Sequence, residues 1–228
     1  GARVVRHPYN IGNGAAVKTG LRNARGDLVV MMDGDGQHLP EDIPRLLEPL
    51  GEYHMVVAAR DFGKSGSWHR NLANRAYNGF ASYVAQFRIA DLTSGFRAFR
   101  RLDALRFIDL LPNTFSYPTT ITLSFLRSGL AVKYVKTTFP KRVGKSKIRI
   151  FDDGIRFLLI ISKIATLFSP FRVFVPVSLG LFFTGIAYYA YTYFMYNRLT
   201  NMVAILFTTA VVIFMMGLVS EQIAMLRM

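Results

Sequence analysis

Over the first 140 residues, short apolar runs alternate with stretches whose apolar positions recur every three or four residues. Arg3–Val5 reads as a short strand, and Ala15–Ala24 as a helix that Gly26 stops. The run Leu28–Met32, ending at Asp33, reads as a buried strand. Pro40–Leu50 opens with proline and acidic residues and continues with apolar positions at helical spacing, which predicts one helix. His54–Ala59, Gly95–Phe99 and Ala131–Val135 are predicted strands; Asn71–Phe87 and Thr119–Leu126 are predicted helices. Alternation of this kind predicts an α/β domain with a largely parallel sheet. No internal repeat or low-complexity linker interrupts it.

The pattern changes after Pro140. Residues 141–172 carry eight Lys or Arg against two Asp. Within them Ile155–Phe168 is apolar, and Arg156 and Lys163, seven apart, fall on nearly one helix face. That suits a helix lying in a membrane interface, although a buried core helix shares the pattern. Val173–Phe194 then has no charged residue and is long enough to cross about 30 Å of hydrocarbon. A polar turn, Asn197–Asn201, leads into a second uncharged run, Met202–Val219. The two runs predict a transmembrane hairpin; core helices of a soluble protein are the alternative. Basic residues precede the first span and Arg227 follows the second, whereas the turn holds Arg198 alone. The positive-inside rule therefore predicts a cytoplasmic domain and C-terminus.

Composition sharpens this picture. The chain of 228 residues has room for one domain plus an appendage. It has no cysteine, which excludes a disulfide framework and a thiolate zinc site. The formal net charge of +14 points to a polyanionic partner. The cations cluster beside the apolar runs rather than among stacking aromatics, which favours anionic membrane lipid and phosphorylated substrates over nucleic acid. The polar stretch Gly1–Asn10 does not read as a secretory signal.

The main chemical signal is Asp33-Gly34-Asp35 directly after a predicted strand. Residues two apart at a strand end point the same way. Two carboxylates on one side make a hard oxygen site suited to Mg²⁺ or Mn²⁺ with positions open for phosphate oxygens. Gln37 and His38 follow and can add a ligand or a contact. A plain turn with a helix cap has the same residues. Upstream, Asn10-x-Gly12-x-Gly14 precedes a predicted helix containing Lys18, an arrangement that suits a phosphate or an ordinary strand-to-helix turn. The third glycine of the dinucleotide fingerprint is missing at its required spacing.

Five segments occur in order: NIGNGAA at 10–16, DGDGQH at 33–38, LPEDIP at 39–44, DLTSGFR at 91–97 and RVGKSK at 142–147. Together they resemble the family 2 glycosyltransferases of the dolichol-phosphate mannose synthase type, including bacterial enzymes acting on undecaprenyl phosphate. SLGLF at 178–182 and GLVSEQ at 217–222 resemble that family's hairpin. The resemblance implies a GT-A (Rossmann-like) α/β domain, a nucleotide-sugar donor (GDP- or UDP-linked), a divalent metal, and inverting transfer to a polyprenyl phosphate, undecaprenyl or dolichyl. It implies metal contacts from Asp33, Asp35 and Gln37, and donor contacts from Asn10, Gly12, Lys18, Asp33 and Gln37. Asp35 and Asp91 are its catalytic candidates. Asp91 matches the position often assigned as base, yet an ionised acceptor phosphate needs no strong base, and Asp91 can instead orient a group or counter positive charge. Arg60, Arg75, Ser94, Arg142 and Lys147 are its acceptor-phosphate candidates, with Arg70 competing with Arg75.

The family's first strand, which contributes to nucleotide binding, has no counterpart here, so the chain reads as an N-terminally truncated piece. The expected organisation is a partial GT-A domain over 1–147, an amphipathic interface helix over 148–172 and a transmembrane hairpin over 173–228. This implies an integral membrane protein of a bacterial or archaeal plasma membrane. Homo-oligomerisation and the identities of base, sugar and polyprenol stay open. Two alternatives are a processive polysaccharide synthase and a non-catalytic scaffold on a degenerate transferase domain. The synthases resemble one another in a Gln-x-x-Arg-Trp motif, which is absent; the one tryptophan, Trp68, is followed by His69 and Arg70.

Overall fold

The computed structural model describes residues 2–60, 68–113, 116–137, 139, 166 and 169–226, with backbone only for 68–74. The chain divides into two compact units, Gly1–Arg156 and Phe157–Met228. The predicted interface helix lies almost entirely outside the described residues, as do Arg142 and Lys147.

In the first unit, helix α1 (Asn13–Asn23) leads into strand β1 (Leu28–Met31). The segment predicted as one helix over 40–50 is instead a 3₁₀ turn (Pro40–Asp42), a short helix α2 (Ile43–Leu47) and a second 3₁₀ turn (Glu48–Gly51). Pro44 and Pro49 explain the break, because each lacks the N–H that the interior of a continuous helix needs. There follow β2 (Met55–Arg60), α3 (Trp68–Ala85), β3 (Arg97–Arg100), α4 (Arg101–Leu105), a 3₁₀ turn (Ile108–Leu110), α5 (Tyr117–Arg127) and β4 (Val132–Thr137).

The four strands form one sheet in the order β1-β3-β2-β4. The expected largely parallel sheet is corrected to a mixed one. β2 and β4 are parallel, but β3 lies between β1 and β2 and runs antiparallel to both. Strand–helix alternation records only the order of elements, and a strand entered from the opposite end of the sheet has the same signature. Leu28–Met31 is an edge strand rather than a buried one, with Leu28 44% exposed, whereas the central β2 is buried from Met55 to Ala59. Arg3–Val5 is irregular, pairs with no strand among the described residues, and leaves Val4 74% exposed.

Two apolar clusters cover the two faces of the sheet, as alternation along a strand requires. Met55, Val57 and Phe99 pack with Leu21, Phe107, Tyr117, Ile121 and Phe125. Val56, Ala58 and Ala98 pack with Leu46, Leu50 and Phe96. β2 therefore works as a two-faced core strand, and its five buried residues fix the height at which the strand ends stand.

The second unit contains helices α6 (Phe171–Tyr196) and α7 (Asn201–Leu226), both long and apolar enough to cross a membrane. Their contact line is built from buried small or short residues at seven-residue spacing: Ser178, Gly185 and Thr192 on α6, and Val203, Ala210, Gly217 and Ala224 on α7. Small residues let the helices approach closely where lipid supplies no hydrophobic drive. A Cβ on Gly217 would lie 2.7 Å from Cβ of Phe174, and one on Gly185 would lie 3.0 Å from the Phe207 ring. Ser178 Oγ donates to the Ala210 carbonyl at 2.8 Å. The Glu221 carboxylate accepts the N–H of Phe171 at 3.1 Å, capping the start of α6. Asn197 ends α6 in the left-handed region, φ 48°, which asparagine tolerates.

Candidate active site

The sheet gathers the predicted chemistry at one edge. β1, β2 and β4 end there, and the antiparallel β3 begins there, so residues 33–38, Arg60, Thr137 and residues 91–95 converge. The β1–β3 register pairs Met31 with Arg97. Continued by two residues, the same register sets Asp33 opposite Gly95, and their contact bears this out. A Cβ on Gly95 would lie 2.6 Å from Asp33 Oδ2. Glycine at 95 thus makes room for the carboxylate, a requirement that DLTSGFR does not announce.

The Asp33–His38 loop is open on one side. The Asp33 side chain is 46% exposed. Its backbone N–H donates to His38 Nδ1 at 2.8 Å, and Gln37 N–H donates to Asp35 Oδ1 at 3.2 Å. Gly36 turns the loop at φ 76°, in the left-handed region. His38 is buried, stacked on Phe96 at 4.9 Å and edge-on to Phe139 at 5.4 Å. Burial pushes the His38 imidazole below 6.5, outweighing the upward pull of Asp33 and Asp35; Arg60 adds to the lowering. The hard oxygens of Asp33, Asp35 and the Gln37 amide suit Mg²⁺ or Mn²⁺, and the Gly95 gap gives Asp33 a seat, so these residues fit such an ion. Among the described residues no group of three or more His, Cys, Asp or Glu forms a ready-made cage.

The neighbouring loop is closed. Asp91 is 1% exposed. Its Oδ2 accepts Arg60 Nε at 2.7 Å and the Arg60 backbone N–H at 3.3 Å; its Oδ1 accepts Arg60 Nη2 at 3.0 Å and the Thr93 N–H and Oγ1 at 3.2 Å each. Thr93 Oγ1 also accepts from Arg60 Nη2 at 2.5 Å. Burial lowers the Arg60 guanidinium, but the hydrogen bond and charge of Asp91 more than offset it, so Arg60 is raised. Asn78 of α3 clamps the loop from behind, donating to the Ala90 carbonyl at 2.9 Å and accepting the Leu92 N–H at 3.1 Å.

Beneath both loops lies Arg97, fully buried. It donates from Nε to the Ser94 carbonyl at 3.2 Å and again from Nη2, and from Nη1 to the Pro118 carbonyl at 3.0 Å and Thr122 Oγ1 at 3.1 Å. Burial pushes its guanidinium down, against the pull of Tyr117, Tyr134, Asp91 and Asp33. Arg97, Asn78, Thr93 and Gly95 escape a reading by residue type; their order within a recognised motif was the one signal for Arg97, Thr93 and Gly95.

The remaining candidates are dispersed. Asn10 and Gly12 line an open cleft of about 550 Å³ between the N-terminal segment and α1, with Arg3, His7, Thr19 and Asn23. Gly12, at φ 118°, caps α1 in a conformation that requires glycine. Lys18 does not line that cleft and donates to the Leu111 carbonyl at 3.1 Å. Ser94 is buried, its hydroxyl 3.5 Å from the Phe96 carbonyl. Arg75 stands exposed on α3. Arg70 lies where only the backbone is described.

The glycosyl transferase family 2 pattern matches residues 1–106, and the GtrB C-terminal hairpin matches residues 169–226. The undecaprenyl-phosphate 4-deoxy-4-formamido-L-arabinose transferase of Proteus mirabilis is 34% identical over 119 residues, which is 48% of this chain and 36% of the relative. The undecaprenyl-phosphate mannosyltransferase of Micrococcus luteus is 34% identical over 130 residues, 54% of this chain and 53% of the relative. The matched stretches thus span 36% and 53% of these curated relatives. Glucosyl-3-phosphoglycerate synthase from Mycobacterium tuberculosis, crystallised with Mn²⁺, uridine diphosphate and glucosyl-3-phosphoglycerate, shares the fold with a TM-score of 0.52 at 19% identity, over 70% of this chain and 57% of the synthase. Residues 1–106 are thus similar to glycosyl transferase family 2, on a fold shared with the synthase, and residues 169–226 to the GtrB C-terminal hairpin.

Proposed function

We propose that the protein transfers a sugar, with inversion, from a nucleotide-sugar to a polyprenyl phosphate at the cytoplasmic face of a membrane. The observation that carries this reading is the open Asp33–His38 loop at the sheet edge, in a chain that also holds an apolar helical hairpin. Relatives named as undecaprenyl-phosphate sugar transferases support the acceptor class.

In this reading a phosphate oxygen of the acceptor attacks the anomeric carbon. The bond from that carbon to the donor diphosphate breaks, and the diphosphate leaves with the electron pair. The second pKa of a phosphate monoester is about 6, so the acceptor is largely ionised at neutral pH. No proton then has to be removed, and Asp91 serves as the counter-charge that aims Arg60. Asp33, Asp35 and Gln37 would hold a divalent cation, Mg²⁺ or Mn²⁺, whose chemistry is to neutralise charge on the departing diphosphate. Arg60, at the end of β2 and one-third exposed, turns a cation toward the same edge, where positioning and electrostatic stabilisation lower the barrier. Arg142 and Lys147 belong in this reading to the acceptor phosphate, and the basic stretch around them to anionic lipid.

The test is a donor screen on membranes containing the full-length protein, reading radiolabelled sugar in extractable lipid. One nucleotide-sugar should label lipid, and chelator should stop it. Absence of lipid label with every donor sinks the reading. The orientation is checked by a cysteine placed beside Arg198, which should react only from the outer side.

A further inference from the structure

His38 touches Asp33 twice. Its Nδ1 accepts the Asp33 backbone N–H at 2.8 Å, and its Nε2 lies 4.0 Å from Asp33 Oδ2. An amide N–H can only donate, so Nδ1 carries no proton and the imidazole proton sits on Nε2. The ring has little freedom to turn. Phe96 lies nearly parallel to it, at 15°, and Phe139 meets it edge-on, at 78°. The Gly95 backbone closes in on the same carboxylate, at the contact where a Cβ would come within 2.6 Å of Oδ2. Asp33 is thus held at its backbone and crowded at its carboxylate. Neither ring nitrogen offers a lone pair to a cation, since one is spent on the amide and the other bears the proton.

We propose that His38 is a positioning residue and not a metal ligand: as the neutral Nε2–H tautomer it orients the Asp33 carboxylate for a divalent cation. The proposal rests on the reading of Asp33 as a ligand. It removes His38 from the ligands that its place in the loop invites, and gives it the task of partners that fix a liganding group from outside the coordination sphere.

Two substitutions separate the alternatives by geometry. Asparagine sets its side-chain carbonyl near the place of Nδ1 and can still accept the Asp33 N–H. Glutamine sets its amide near the place of Nε2 and abandons Nδ1. Mn²⁺ binding to the full chain in detergent, read by loss of the free-ion spin-resonance signal, is the probe. His38→Asn should bind Mn²⁺ within about threefold of the wild type, whereas His38→Gln should lose roughly ten- to a hundredfold, the range for partners of metal ligands. Any other order overturns the proposal: Gln above Asn makes Nε2 the working atom, and equal affinities make the ring mere packing. Asp33→Asn is the control. If it binds Mn²⁺ like the wild type, the reading of Asp33 as a ligand fails; if it loses binding while the Asn–Gln order is wrong, the proposal alone fails. A tautomer measurement needs no variant. In ¹⁵N-histidine spectra of the metal-free chain, the ring coupled to the Asp33 amide should carry its proton on Nε2, and a proton on Nδ1 would overturn the proposal.

Discussion

The two acidic loops at the sheet edge hold their carboxylates in opposite ways. Asp33 has a half-exposed side chain, takes its hydrogen bond on the backbone, and has a neutral ring beside it. Asp91 is buried and faces the fixed charge of Arg60 at 2.7 Å. A buried carboxylate spends its charge on its partner and serves to hold that partner in place. A carboxylate with a neutral ring beside it, and with Arg60 and Arg97 acting on it only through their charge, keeps its oxygens open. The difference separates a carboxylate left open at the sheet edge from one bound into the frame.

The largest effect that would break this contrast is on turnover. Asp35→Ala should lower lipid-linked sugar transfer roughly a thousandfold, the scale of several kcal/mol of lost charge stabilisation, with an unchanged melting temperature. Near-normal transfer by the variant, or by the wild type in chelator, would remove the metal assignment. Next comes stability at the closed loop. Arg60→Ala strands the buried Asp91 carboxylate and should cost about 3–5 kcal/mol in denaturant unfolding of the domain. A loss below about 1 kcal/mol would mean that Asp91 is not held as scaffold, and the contrast would collapse.

A smaller effect sharpens the open loop. Gly95→Ala forces the Asp33 carboxylate to move and should weaken Mn²⁺ binding about tenfold, with the fold retained by circular dichroism. Unchanged affinity would show that the gap is not the seat of the ligand. The smallest effect is on pH dependence. Burial holds the folded His38 below 6.5, so the unfolded chain binds that proton more readily. Its contribution to stability is complete above pH 6.5 and declines as the pH falls below that value. Metal-free denaturation midpoints at pH 7.5 and 5.5 should therefore differ less in His38→Asn than in the wild type. An equal difference would show that His38 titrates alike in both states.

Much of the fold was legible because each signal was local. The helices Asn13–Asn23, Trp68–Ala85 and Tyr117–Arg127 and the strands at 28, 55, 97 and 132 follow from periodicity and turn residues, with ends shifted by one to three residues. Asp33 and Asp35 were singled out by their spacing at a strand end, which is itself a local signal. The direction of β3 was not, since antiparallel insertion leaves the element order unchanged. Nor was the break of the 40–50 helix, where a helical apolar pattern outweighed the interior prolines Pro44 and Pro49.

The apolar helices show what sequence alone determines. An uncharged run of some twenty residues announces a helix fit for hydrocarbon by composition, whatever surrounds it, and α6 and α7 appear where those runs lie. Ordered motifs likewise pointed to glycosyl transferase family 2, whose pattern residues 1–106 match. Tertiary structure alone decided how the site's charges are spent, because the partners are far apart in the chain: Arg60 with Asp91, Asp33 against Gly95, Asn78 with the 90–92 backbone, Arg97 with Pro118 and Thr122. A carboxylate has the same formula in Asp33 and Asp91. Only burial and the group that folding brings beside it distinguish an open carboxylate from a buried counter-charge.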